Sequence, residues 1–164
     1  MTDAEFDPAP LLETLVRHRV DFVLIGGLAA AALGSSRSTY DIDVAYSRTS
    51  ENLEQLVGAL TELGATLRGA PPDVPFLLDA KTLRSGLNFT FSTRFGALDI
   101  LGEPAGAPKY EDLKRAASPI TIRGFPVHVA SLDHMIAMKE AAGRPHDRLA
   151  AAELRAIADE LRAP

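Results

Sequence analysis

Residues 26–43 read GGLAAAALGSSRSTYDID, and this stretch decides the fold. It follows the segment DFVLI at residues 21–25, whose largely apolar composition is typical of a buried strand. Two glycines then precede a short run of good helix formers, residues 28–33, and a second strand is predicted from Tyr40 to Tyr46. The stretch therefore predicts a strand, a tight glycine turn, a short helix and a second strand in close succession.

Gly26 and Gly27 are placed where an anion could bind. Glycine lets a ligand approach the backbone closely, and the start of a helix offers free N–H groups and the positive end of its dipole. Taken alone, a glycine pair after a strand is more often only a tight turn. The sequence here is not the longer glycine-rich run with Lys-Ser/Thr of a P-loop. The glycines by themselves leave both interpretations open.

Asp41 and Asp43 are the most informative pair of side chains in this stretch. Their spacing of two residues places both carboxylates on the same face of the predicted strand. Like charges this close raise each other's pKa unless a cation lies between them. Hard oxygen ligands suit Mg²⁺, which binds one or two carboxylates together with substrate phosphates. The alternative is two surface acids on a solvated edge strand, and the upstream glycines weigh against it.

Asp99 lies in the predicted strand Ala97–Leu101, which forms an antiparallel hairpin with Leu87–Ser92. A third carboxylate on a neighbouring strand could complete a two-metal site or act as general base on an attacking hydroxyl. An acid facing solvent from an amphipathic strand is the alternative. The planar guanidinium of Arg37 could bind a phosphate through two parallel hydrogen bonds, and Thr39 shares the strand face of Asp41 and Asp43. Both are equally compatible with an ordinary loop.

The C-terminal third adds three more candidate residues. The spacing predicts a helix capped by Ser131, and Pro145 is placed to open a last helix. Lys139 falls on the apolar stripe of the helix capped by Ser131. Its side chain therefore either extends past the apolar surface to solvent or points into a site. Arg144 and Asp147 follow at the helix junction. An acid such as Asp147 in a first helical turn is also explained by the helix dipole alone.

Composition limits the class of protein. The 164 residues, 46% of them hydrophobic, suffice for one folded domain with a proper core. Without cysteine there is no disulfide and no thiolate metal site. The net charge of −5 gives no support to nonspecific phosphate contacts with nucleic acid. The acidic start, MTDAEFDPAP, and the absence of a long apolar run favour a cytoplasmic protein that spans no membrane.

The order of a Gly-Gly pair, a short helix, Asp-x-Asp and a later strand Asp resembles the nucleotidyltransferase superfamily that includes DNA polymerase beta. The segments GGLAAAALGSSRSTYDIDV and MKEAAGRPHDRLAAAEL are similar, more closely, to AbiEii/AbiGii-type toxin nucleotidyltransferases and related small bacterial proteins. The resemblance covers roughly residues 20–160. It implies an α+β fold with a mixed central sheet flanked by helices. It also implies one domain over residues 1–164, in which residues 131–164 form a helical segment that completes the site.

The resemblance further implies a reaction in which an NTP gives its nucleotidyl group to a hydroxyl and pyrophosphate is released. The implied cofactor is Mg²⁺, with Mn²⁺ as a substitute, held by Asp41, Asp43 and Asp99. The implied catalytic residues are Asp41, Asp43, Asp99 and Lys139. The residues implied to contact the nucleotide are Gly26, Gly27, Arg37, Thr39, Arg144 and Asp147. Gly27 departs from the superfamily, which often has serine at this position.

The acceptor is left open by the sequence. The toxin resemblance implies RNA, such as tRNA, or protein as the acceptor, and leaves room for a cognate antitoxin as partner. A small-molecule acceptor such as an aminoglycoside is the alternative, and the net negative charge slightly favours it because a cationic molecule is drawn to an acidic cleft. A non-catalytic nucleotide-binding regulator is a third alternative. The presence of all three acidic positions counts against it.

Overall fold

The computed structural model describes residues 6–71 and 73–164, so residues 1–5 and Pro72 lie outside the described part of the chain. The helices of this part are α1 (Pro8–Arg17), α2 (Gly26–Ala32), α3 (Ser50–Glu62), α4 (Ala80–Ser85), α5 (Tyr110–Ala116), α6 (Leu132–Ala142) and α7 (Pro145–Arg162). The strands are β1 (Phe22–Ile25), β2 (Asp41–Tyr46), β3 (Thr66–Leu67), β4 (Asn88–Thr93), β5 (Gly96–Leu101), β6 (Ser118–Ile122) and β7 (Phe125–Val129).

The strands form one mixed sheet in the order β3-β4-β5-β2-β1-β7-β6. The central pairs β2–β5 and β1–β7 are parallel, and the pair β1–β2 is antiparallel. The predicted hairpin of β4 and β5 is present, and β6 and β7 form a second one. The predicted α+β fold with a mixed central sheet is therefore confirmed. Within the described residues, the model contains no helix that is both long and apolar enough to cross a bilayer.

Two element boundaries near the glycine pair differ from the prediction. Helix α2 begins at Gly26 rather than at Leu28, so both glycines lie in its first turn. The cause is the backbone of Gly26, whose φ of +72° turns the chain directly from strand into helix. Tyr40 precedes β2 instead of opening it, and its side chain is 76% exposed rather than packed beside Ile42.

Strand β2 separates a polar face of the sheet from an apolar one. Ile42 and Val44 are fully buried, whereas Asp41 and Asp43 on the opposite face keep partial access to solvent. The leucines of α1 and α3 are fully buried in the same core, so these two helices cover the apolar face: Leu11, Leu12, Leu15, Leu53, Leu56 and Leu60. The alternation of β2 therefore directs the two acids away from the core and toward a possible site.

The β3–β4 end of the sheet keeps its polar face exposed. Along β4, Phe91 is fully buried and its ring stacks on Phe89, with 6.0 Å between the ring centroids. The alternate residues are exposed, and they share a face with Thr66 of β3; we call this set the open face: Thr66, Asn88, Thr90 and Ser92. Thr90 pairs directly with Asp99 of β5. The open face is therefore continuous with the face that presents Asp99.

A buried asparagine ties α3 to the ends of the two central strands. Asn52 is only 2% exposed. Its Oδ1 accepts a hydrogen bond from the Asp21 backbone N–H at 2.6 Å, and its Nδ2 donates to the carbonyls of Asp21 and Ser47. Helix α3 is capped by Thr49, whose hydroxyl oxygen accepts a hydrogen bond from the backbone N–H of Asn52.

Replacing Asn52 by alanine is expected to lower the free energy of unfolding by about 2 kcal/mol, because buried backbone groups of the strand ends lose their partners. Urea denaturation followed by circular dichroism measures the change. Glu54→Ala, at an exposed position of the same helix, is the matched control and is expected to stay within about 0.5 kcal/mol of the parent. Equal effects of the two substitutions would contradict this account of α3.

Candidate active site

Three carboxylates from two neighbouring strands meet on the polar face of the sheet. Strands β2 and β5 are parallel, and their register places Asp43 directly beside Asp99. Asp41 lies two residues before Asp43 on the same face. One oxygen from each of the three side chains lies within 4.8 Å of the other two. The structure therefore brings together the residues predicted to hold a metal, and we refer to them as the aspartate triad.

The donor set of the triad fits a hard divalent cation. Oxygen ligands of an octahedral Mg²⁺ lie about 2.1 Å from the ion, so they are roughly 3 to 4 Å from one another. The triad oxygens all lie within 4.8 Å of one another, a limit that is compatible with this spacing. Gly26 makes this arrangement possible, because a Cβ at this position would overlap Asp43 Oδ2. The glycine predicted to contact phosphate thus also makes room for a carboxylate of the triad.

Burial and crowding act together on Asp43. Its partial burial is the largest cause that raises its pKa, and the charges of Asp41 and Asp99 raise it further, to about 7. The ammonium group of Lys139 opposes this effect only in part. In a protein without metal, the ionised form of Asp43 is therefore disfavoured by its surroundings. A divalent cation among the three carboxylates would remove that penalty.

Thr39 and Gly27 support Asp41. The Thr39 hydroxyl donates a hydrogen bond to Asp41 Oδ1 at 3.1 Å. A Cβ at Gly27 would lie 2.9 Å from Thr39 Oγ1 and 3.0 Å from Thr39 Cβ, so a serine at position 27 would collide with this threonine. The glycine that departs from the superfamily pattern thus leaves room for the threonine that contacts Asp41.

Arg37 forms an ion pair with Glu153, an acid that no sequence pattern singles out. Its Nε donates to Glu153 Oε2 of α7 at 2.9 Å. The other oxygen of Glu153 accepts from the Ser36 backbone N–H and the Ser35 hydroxyl, so one carboxylate fixes three residues of the loop before β2. The hydrogen bond from Arg37 is the largest cause that lowers the pKa of Glu153. Arg37 therefore lies beside the triad as a positioned cation.

The C-terminal helices bring Lys139, Arg144 and Asp147 together at the α6–α7 junction. Asp147 is fully buried, and its Oδ2 accepts hydrogen bonds from the Arg144 backbone N–H at 3.3 Å and from Arg144 Nε at 2.7 Å at the start of α7. This hydrogen bond is the largest cause that lowers the pKa of Asp147. Lys139 Nζ lies 3.7 Å from Asp147 Oδ1, and no described residue gives this oxygen a hydrogen bond. The buried carboxylate thus holds Arg144 by hydrogen bonds and lies within ion-pair distance of Lys139.

Two cavities meet at the side chains of Asp43, Lys139 and Arg144. The polar cavity, of about 450 Å³, reaches the other triad members and is also lined by Gly27, Arg37, Thr39 and Glu153. The apolar cavity, of about 250 Å³, is also lined by Gly26, Asn88, Leu101, Pro104, Met135, Met138 and Asp147. All ten residues predicted to form the site therefore line one or both of these adjoining cavities.

Arg68 belongs to the site but was absent from the sequence prediction. It directly follows the edge strand β3, and its Nη2 donates to Asp99 Oδ1 at 2.6 Å. No spacing in the sequence indicates this contact, because it depends on the register of β3, β4 and β5. The only sequence signal is an arginine at the end of a short polar strand beside the predicted hairpin.

Three solved structures illustrate the fold that this chain shares with nucleotidyltransferases. The chain superposes on the lincomycin-bound lincosamide antibiotic adenylyltransferase LnuA with a TM-score of 0.62 at 14% identity, covering 94% of this chain and 98% of that one. It superposes on the antibiotic-resistance factor ANT(2'')-Ia with a TM-score of 0.58 at 17% identity, covering 93% of this chain and 81% of that one. With a candidate nucleotidyltransferase from Thermotoga maritima the TM-score is 0.57 at 18% identity, and the superposition covers 93% of this chain and 90% of that one.

These matches confirm the nucleotidyltransferase fold. No family model matches the sequence, and the curated proteins give no significant match. None of the three superposed structures is described as an AbiEii- or AbiGii-type toxin, so that closer resemblance stays a prediction. The roles of the individual site residues likewise stay predictions. Their distances and contacts show which of these roles can be tested by substitution.

Asp43→Asn is expected to stabilise the metal-free protein at about pH 8 by about 2 kcal/mol, which raises Tm by about 4 to 8 °C. The folded-state pKa of Asp43 is raised, so its ionisation costs stability progressively as the pH rises from about 4 to about 7. The gain should therefore vanish near pH 4. Thermal unfolding in EDTA across this pH range measures it.

The same comparison with several millimolar MgCl₂ provides the control for this prediction. Bound metal stabilises the parent, which retains all three carboxylates, more than it stabilises Asp43→Asn. The difference in Tm between the two proteins at pH 8 should therefore shrink or reverse. A destabilised Asp43→Asn protein in EDTA at pH 8 would contradict the described crowding of the triad.

Proposed function

We propose that this protein is a metal-dependent nucleotidyltransferase that moves a nucleotidyl group from an NTP to a hydroxyl of a small polar molecule. The observation that supports the reaction most strongly is the aspartate triad, built by parallel β2 and β5 within a nucleotidyltransferase fold. Clustered carboxylates without a cation are costly, and Gly26 leaves room for one of them. This combination is expected of a metal site rather than of a solvated surface.

Asp41, Asp43 and Asp99 would hold Mg²⁺, or Mn²⁺ in its place. When bound, the divalent cation would neutralise negative charge that develops on the triphosphate and on the departing pyrophosphate. Its oxygen-only ligands agree with the preference of both ions for hard donors. Thr39 would keep Asp41 oriented toward the ion through its hydroxyl hydrogen bond.

The triphosphate would lie where cationic side chains surround the triad. Arg37 borders the polar cavity, and Lys139 and Arg144 border both cavities, each near Asp43. Lys139 would contact phosphate oxygens directly, because Asp147 holds its ammonium group at the junction of the cavities. Asp147 is buried and carries negative charge, so we assign it to positioning these cations rather than to touching the nucleotide.

Asp99 would receive the acceptor hydroxyl. It is the triad member next to the open face, through its pairing with Thr90. In the transfer, the hydroxyl oxygen forms a bond to the α-phosphorus while the bond to pyrophosphate breaks. The hydroxyl proton leaves toward the Asp99 carboxylate as general base. The Gly26 and Gly27 segment lies on the opposite side of Asp43, where it would face the triphosphate.

The open face favours a small polar acceptor over a polyanion. Its side chains are hydroxyls and an amide, namely those of Thr66, Asn88, Thr90 and Ser92. The cation beside them, Arg68, is already paired with Asp99. A face without free positive charge, on a protein of net charge −5, offers little to an RNA backbone. LnuA and ANT(2'')-Ia are linked to antibiotics, which agrees with a small-molecule acceptor.

The reaction can be tested with each of the four α-³²P-labelled NTPs, MgCl₂, and a bacterial extract separated into RNA, protein and small-molecule fractions. Label is expected in the small-molecule fraction, and a panel of hydroxyl-bearing antibiotics would then narrow the acceptor. The variant Asp41→Ala/Asp43→Ala is expected to lose at least about 1,000-fold in rate while keeping its circular dichroism spectrum.

The possible outcomes of this assay separate the two parts of the proposal. Label in RNA or protein would keep the transferase and overturn the small acceptor, in favour of the toxin-like interpretation with its antitoxin partner. Label in none of the fractions would contradict the proposed transferase activity. Full activity of the double variant would contradict the proposed site.

Lys139→Gln is expected to lower kcat/KM for the NTP by about 100-fold, because a charged contact to the phosphates is lost. Steady-state kinetics at fixed acceptor concentration measure this change. Lys109→Gln removes the same charge at an exposed position before α5 and is expected to leave the kinetics unchanged. A similar loss in both variants would indicate a general effect of net charge instead of a phosphate contact.

A further inference from the structure

Arg68 reaches the aspartate triad from the edge of the sheet. Its backbone N–H donates to the Thr90 carbonyl at 2.9 Å, which extends the pairing of β3 with β4 by one residue. Its side chain then crosses β4 to Asp99 on β5, where Nη2 donates to Oδ1 at 2.6 Å. Nη1 donates to the Phe91 carbonyl at 3.1 Å. The guanidinium is therefore fixed by contacts on two strands.

The three acids of the triad have different partners. Among the described residues, Asp99 is the triad member with an ion pair, and its side chain is 18% exposed. Asp41 receives a neutral hydrogen bond from Thr39. Asp43 forms no ion pair within the described part of the chain, although Lys139 lies close enough to influence its charge. Of the three acids, Asp99 is thus the one with a positively charged partner, and that partner, Arg68, lies on the side of the open face.

We propose that Arg68 is a positioning residue that makes Asp99 the weakest metal ligand of the triad and so keeps this carboxylate available to the acceptor hydroxyl. The inference rests on the proposed function for the role of Asp99. A cation that uses Asp99 Oδ1 must displace a guanidinium held by a second hydrogen bond, and one that uses Oδ2 lies within a few ångströms of its charge. Asp41 and Asp43 therefore provide most of the metal affinity.

The inference predicts a specific pattern of Mn²⁺ affinities without nucleotide. Titration of Mn²⁺, with the free ion followed by electron paramagnetic resonance, is applied to the parent, Arg68→Gln, Asp99→Asn and the double variant. Arg68→Gln should bind Mn²⁺ about tenfold more tightly, because the positive charge paired with one of the three carboxylates is removed. Asp99→Asn should weaken binding less than about threefold in the parent, but about tenfold in the Arg68→Gln background.

Three controls separate this role from a structural one. Arg115→Gln removes an equal charge at an exposed position of α5 and should leave the affinity unchanged. Arg68→Lys keeps the charge and should restore an affinity near that of the parent. Circular dichroism and urea unfolding verify that each variant is folded. A purely structural role of Arg68 would predict weaker Mn²⁺ binding in both Arg68 variants, which is the opposite direction for Arg68→Gln.

The outcomes distinguish this inference from the proposed function. The role assigned to Arg68 is wrong, while the metal site stands, if Arg68→Gln binds Mn²⁺ no more tightly than the parent. The same holds if Arg68→Gln increases the Mn²⁺ affinity equally in the parent and in the Asp99→Asn protein. If the parent binds no Mn²⁺ at millimolar concentration, the metal site of the proposed function is wrong, and the inference is wrong with it. The predicted pattern supports the role of Arg68 whether or not an acceptor has been found.

Discussion

The in-register pairing of parallel β2 and β5 is the constraint on which this structure depends, because it places two like charges side by side. Asp43 and Asp99 occupy directly paired positions, and Asp41 adds a third carboxylate from the same face. Repulsion of this kind destabilises a fold unless something compensates for it. The neighbouring residues follow from this requirement: a glycine gives Asp43 space, a threonine hydroxyl bonds Asp41, and an arginine pairs with Asp99.

The C-terminal helices bring further candidate site residues to the aspartate triad of the sheet. Helix α6 provides Lys139, and the junction with α7 provides Arg144 together with the buried Asp147 that contacts both. One turn and a half further along α7, Glu153 fixes the loop that leads into β2. The helical segment therefore positions cations beside the acids and also orders the chain just before them. Loss of α7 would affect both halves of the site at once.

The sequence predicts those parts of the site that depend on neighbours along the chain. The two-residue spacing of Asp41 and Asp43, the hairpin that contains Asp99, and the helices that start at Ser131 and Pro145 follow from periodicity and capping. The contacts of Arg68 and Glu153 do not, since they join residues 31 and 116 positions apart. Such contacts depend on strand register and helix packing, which local pattern does not encode. Gly27 shows the same limit, because the residue that leaves no room for a side chain at position 27 is Thr39, which follows α2 and a loop.

The distribution of charge divides the candidate site into two sides, which would suit the two substrates of the proposed transfer. On the side of α2, α6 and α7, three cationic residues border cavities that open onto the triad. On the side of β4, Thr66, Thr90 and Ser92 of the open face present hydroxyl groups, and Arg68 beside them is already paired with Asp99. A triphosphate needs the first environment, whereas a neutral hydroxyl-bearing acceptor fits the second. Because Asp43 and Asp99 lie between the two sides, a single pair of strand positions can face both reactants.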